Sequence, residues 1–62
     1  MTFADVQDYY DRCRNTDDVR KWLKDQPLNG YEEAFDGSLS VFFFKDFSVL
    51  VACSYIKQMK EV

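Results

Sequence analysis

"DGSLSVFFFKDFSVLVACSYI", residues 36–56, holds most of the strongly apolar side chains of this 62-residue chain. Its first two residues, Asp36 and Gly37, are a strong two-residue hairpin signal, because a type I′ turn requires positive φ at both central positions. "YEEAF" before it and "SLSVFFF" after it are the strands such a turn would join. A second reversal falls at Lys45-Asp46, where the turn chemistry is weaker. The run from Phe47 to Ile56, rich in Val, Ile and aromatic residues, then favours a third strand. A helix is the competing reading of that run, and "ACSYIKQMKEV" is compatible with a helical end, so strand or partial helix stays open over residues 47–61.

Tight turns at these two places pair Phe35 with Ser38 and Phe44 with Phe47. Side chains alternate between the faces of a strand, so the pairing divides the stretch into two sets. One set contains Phe42, Phe44, Phe47, Val49, Val51, Cys53 and Tyr55; the other contains Leu39, Val41, Phe43, Leu50 and Ile56. Both are apolar, whereas an antiparallel sheet with one wet face should alternate apolar with polar. The more aliphatic set is expected to meet the rest of the chain. That leaves the aromatic set, Phe42, Phe44, Phe47, Val49 and Tyr55, as the candidate contact surface.

Two short helices are expected upstream. Thr2 and Asp5 resemble a capping box ahead of "FADVQDYYDRCR", in which Phe3, Val6, Tyr10 and Cys13 share one face with Tyr9 at its margin. Asp5, Asp8 and Asp11 form an acidic stripe on the opposite side. "RNTDD" breaks the pattern; Thr16 can cap a second helix, whose Val19, Trp22 and Leu23 stand at i, i+3 and i+4 and which Pro27 ends. Trp22, as the largest apolar side chain there, is expected to be substantially buried. The predicted fold is therefore α+β: helices over about residues 3–14 and 17–25, then a three-stranded antiparallel meander with the helices on one sheet face.

Size and composition limit what such a fold can do. The chain is one small domain, and at this length a core is marginal unless disulfides, metals or a second subunit supplement it, so dimerisation is a natural completion. Cys13 and Cys53 lie in no metal-ligand spacing and there is no histidine, so no metal or other cofactor is expected. Cys53, inside an apolar run, reads as a small buried hydrophobe. No secretory apolar segment precedes Asp5, and two distant cysteines are no disulfide framework, so free thiols and a cytoplasmic location are expected. No apolar run approaches the roughly 20 residues of a membrane helix.

Charge and chemistry narrow the function further. Residues 1–36 carry nine acidic and five basic side chains, and residues 37–62 carry two and three, for a net charge of −3. An acidic front half opposes direct nucleic-acid binding and suits a basic protein surface. The acidic stripe lacks the glycine and spacing of a calcium loop. Without histidine the commonest general acid/base is missing, and Glu32 and Glu33 point to opposite faces of a strand, so no catalytic residue is assigned and no enzyme activity is expected. The reading that remains is a small acidic protein-interaction module, an inhibitor or regulator that occupies the surface of another protein or of a second copy of itself. A structural homo-oligomeric subunit and an acidic nucleic-acid mimic are the alternatives.

Overall fold

Asp5 starts the first helix by accepting the Thr2 backbone N–H at 2.9 Å on Oδ2, the reciprocal half of a capping box. The computed structural model describes residues 1–59. Helix α1 spans Phe3–Cys13 and closes at Arg14, whose left-handed backbone (φ 53°) lets its N–H reach the Tyr10 carbonyl at 2.7 Å. Helix α2 spans Thr16–Lys24. Asn15, rather than Thr16, is its cap: Asn15 Oδ1 accepts from the Asp17 and Asp18 N–H groups at 2.9 and 3.4 Å. Thr16 is thereby released to turn inward, and it is buried.

Four strands follow instead of three: β1 (Gly30–Ala34), β2 (Leu39–Phe43), β3 (Ser48–Val51) and β4 (Ile56–Met59), in an antiparallel meander ordered β1-β2-β3-β4. The architecture is α+β, two helices against a four-stranded sheet. The predicted register holds, with Tyr31 opposite Phe42 and Val41 opposite Leu50. Pairing of the first hairpin stops at Ala34 and Leu39, however. Phe35, Asp36 and Gly37 all take positive φ (54°, 58° and 86°), and the Gly37 and Ser38 N–H groups donate to the Ala34 and Phe35 carbonyls. The second turn forms at Lys45-Asp46, where the Phe44 N–H donates to the Phe47 carbonyl at 2.8 Å and the two rings stack at 4.7 Å.

The run expected to be one long strand breaks at Cys53-Ser54, and the Ala52 N–H donates to the Tyr55 carbonyl at 2.9 Å across a further two-residue turn. No glycine, proline, asparagine or aspartate marks this turn in the sequence. Its carbonyls are held from outside. Arg20 Nη2 donates to Ala52 O at 2.8 Å, Thr16 Oγ1 to Cys53 O at 2.9 Å, and the Tyr10 hydroxyl to Ser54 O at 2.9 Å. Three successive main-chain acceptors thus meet three side-chain donors from the helices, and tertiary contacts do what local turn chemistry does elsewhere. Cys53 is consequently exposed at the turn rather than buried; neither it nor Cys13 is disulfide-bonded. Residues 60 and 61, the end of the segment left open between strand and helix, lie outside the described residues.

The helices cover the aromatic face. Val6, Val19 and Leu23 form the core with Phe42, Phe44, Phe47, Val49 and Val51. This reverses the assignment made from the sequence, and the reason is area. Each buried phenylalanine removes on the order of 150–250 Å² from water, so a helix pair this short gains most by covering the face that carries three of them. Trp22 is half-buried, not fully: its ring stacks on Tyr9 at 4.3 Å and joins the helices side by side.

Candidate interaction face

Among the described residues, no element lies on the face turned away from the helices. The strand register arranges its side chains in cross-strand rows. Glu32, Val41, Leu50 and Lys57 stand level with one another across β1, β2, β3 and β4, and Gly30, Phe43, Ser48 and Met59 form the next row. Ala34 and Leu39 begin a further row. Leu39, Val41, Phe43 and Leu50 are only half-buried, shielded by their neighbours on the same face. Met59 and Ala34 are exposed at the flanks. Phe43 leans over Gly30, where a Cβ would lie 3.4 Å from its ring, so the aromatic side chain covers main chain that a glycine leaves bare.

Charge sits at the two edges of this face. Glu32 on β1 and Lys57 on β4 are both exposed and end the same row, about 14 Å apart at the usual strand spacing. Neither enters an ion pair among the described residues. Charged edge strands also discourage further strands from adding to the sheet. A shallow depression of about 190 Å³ lies on the β1–β2 side, lined by Glu32, Glu33, Ala34, Leu39 and Val41.

The residues expected from the sequence to form the contact surface lie elsewhere. Phe42 and Val49 are completely buried, and Phe44 and Phe47 are only 8 % and 6 % exposed, against the helices. Tyr55 is open to solvent at the β3–β4 turn. The acidic stripe is exposed along α1 but locally engaged: Asp5 accepts the Thr2 N–H, Asp8 faces Arg12 at 3.8 Å, and Asp11 accepts from Gln7 Nε2 at 2.9 Å. Nothing brings these carboxylates together with the sheet face.

Sequence reasoning missed Arg20. Its side chain is 12 % exposed, and its guanidinium donates to Asp17 Oδ1 at 2.8 Å and to the Ser38 and Ala52 carbonyls at 2.9 and 2.8 Å. One side chain therefore ties α2 to both turns at one end of the sheet, and only Nε lacks a partner. Thr16, Val19, Arg20 and Leu23 stand at i, i+3, i+4 and i+7, which is the signal that places Arg20 on the inward face. The cavity beside it, about 380 Å³, also exposes Asp17 and Asp36, so it presents balanced rather than anion-seeking charge.

Among the described residues no three His, Cys, Asp or Glu side chains converge, and no helix is long and apolar enough to cross a membrane. Compared with models of protein families, with curated proteins and with solved structures, the chain has no significant match.

Proposed function

We propose that this chain is a protein-interaction module that acts by contact, laying the open face of its sheet against another protein surface. The observation that carries the reading is the patch of Leu39, Val41, Phe43 and Leu50 on a face that no element covers among the described residues. Outward positions of a half-solvated antiparallel sheet are ordinarily polar. A contiguous apolar patch rimmed by charge is the usual mark of an interaction site. In such a contact the four apolar residues are the desolvated centre, and Glu32 and Lys57 set orientation at the rim. The acidic surface of α1 points the other way, where it biases approach rather than supplying affinity. Action as an inhibitor or regulator follows if the covered partner surface is a working one, because occupation alone excludes competitors. Two free thiols suit a reducing compartment, so the cytoplasm is the setting assigned in this reading.

The test is Leu50→Glu, which puts a carboxylate at the centre of the face beside the cross-strand Lys57 and so leaves the monomer soluble and folded. A purified binding partner is expected to hold the parent chain and to lose the variant by at least roughly a hundredfold, the scale of a central interface residue. A partner held equally by both would remove the open face from the contact.

A further inference from the structure

We infer that the occupant of the open face is a second copy of this chain, packed face to face about a two-fold axis that runs parallel to the strands. The inference rests on the open face being a contact surface and adds which surface meets it. It follows from how the cross-strand rows behave under rotation. A half-turn about an axis parallel to the strands, lying midway between two stacked sheets, preserves each residue's level along its strand and exchanges the sheet edges. β1 then lies across β4 of the second copy, and β2 across β3.

Applied to the row Glu32, Val41, Leu50 and Lys57, this operation sets Glu32 opposite Lys57 of the second copy, twice, with Val41 against Leu50 between them. Sheets stack about 10 Å apart, a gap that a glutamate and a lysine span together. In the neighbouring row Phe43 lies across from Ser48 and Met59 from Gly30, with Ser48 3 % exposed and Gly30 beneath the Phe43 ring of its own copy, so this row adds little to the contact. The other in-plane axis, perpendicular to the strands, lays β1 on β1 and β4 on β4. It sets Glu32 against Glu32 and Lys57 against Lys57, so like charges oppose that arrangement. The favoured dyad also puts α1 and α2 of each copy on the outside, which keeps the acidic halves of the two chains apart. The result is a helix–sheet–sheet–helix sandwich, with the usual twist of about 30° between aligned sheets. Its interface buries on the order of 1,000 Å², the lower edge for a specific contact, so association is expected at micromolar concentrations.

Sedimentation equilibrium on the full chain tests this. The mass should rise from 7.4 kDa towards twice that value across the micromolar range, and Leu50→Glu should hold it at the monomer. Glu32→Lys and Lys57→Glu, both at exposed positions that do not threaten folding, should each weaken association roughly tenfold, because each opposes like charges at two symmetric sites. The double variant should return to within about twofold of the parent. A single 7.4 kDa species at high micromolar concentration overturns the second copy as occupant; Leu50-dependent binding of a different purified protein would then leave the contact reading standing. A dimer indifferent to Leu50→Glu overturns the face itself. A Leu50-dependent dimer that the double charge swap does not restore overturns the strand-parallel dyad.

Discussion

The two faces of the sheet are made from the same strands and nearly the same kind of residue, yet one is a core and the other is only half-buried. On the helix side Ser40, Phe42, Val49 and Val51 are buried. On the open side Leu39, Val41, Phe43 and Leu50 shield one another and remain partly in water. Apolar character along a strand therefore says that a face seeks cover without saying which element provides it. What separates the faces is the set of contacts that fixes the helices: three aromatic anchors on one side, and the Arg20, Thr16 and Tyr10 donors that bind the turn carbonyls at one end.

The largest effect that would break this comparison is a paired truncation on adjacent residues of β2. Phe42→Ala opens a cavity beneath the helices and is expected to cost about 3–5 kcal/mol, enough to leave so small a domain largely unfolded. Phe43→Ala, one position along but on the open face, should cost less than about half of that, since its ring is only half-buried. Equal urea midpoints for the two variants would show that the faces do not differ energetically.

Arg20→Met is the next test, keeping the aliphatic stem while deleting the fork. It leaves the Ser38 and Ala52 carbonyls without their donor, at an expected cost of about 2–3 kcal/mol. The loss should be local before it is global. Amide exchange at Ala52, whose N–H donates to the Tyr55 carbonyl across the β3–β4 turn, should accelerate more than at Val41 and Phe42, because that turn depends on side-chain donors. Uniform acceleration would mean that the turn holds itself.

The smallest expected effect has the opposite sign. Phe35 occupies a left-handed backbone at φ 54° with 77 % of its surface exposed, so it carries conformational strain without packing in return. Phe35→Gly should raise stability by up to about 1 kcal/mol, read as a higher thermal midpoint. A lower midpoint would reveal that the ring is covered and that the open side of the sheet extends around its end.

Local chemistry accounts for much of the fold. The capping pattern and the 3.6-residue period of "FADVQDYYDRC", the Pro27 stop, and the turns at Asp36-Gly37 and Lys45-Asp46 are all encoded within a few residues. From them follow both helices and, through the period of two, the register of the first three strands. Beyond the Cys53-Ser54 turn Ile56 pairs with Val51 and packs against the core, opposite to the face expected for it, but over the first three strands the same period divides the side chains correctly into two sets. It does so because alternation is a property of the strand itself, independent of anything packed on it.

Which set becomes the core is a different kind of question. It depends on the summed area that two short helices can remove from water and on where their polar side chains find acceptors, and both quantities exist only once distant segments meet. The fourth strand shares that origin. Cys53 and Ser54 have no intrinsic reason to turn, and they do so where Tyr10, Thr16 and Arg20, between 32 and 44 residues away in the chain, donate to three consecutive carbonyls. Sequence alone determined both helices, the first three strands with their pairing, and the existence of two apolar faces, because each is a short-range property of the backbone. Tertiary structure decided which face is covered, where the last hairpin bends and which charged residues flank the open surface, because those are set by contacts between parts of the chain that have no local knowledge of one another.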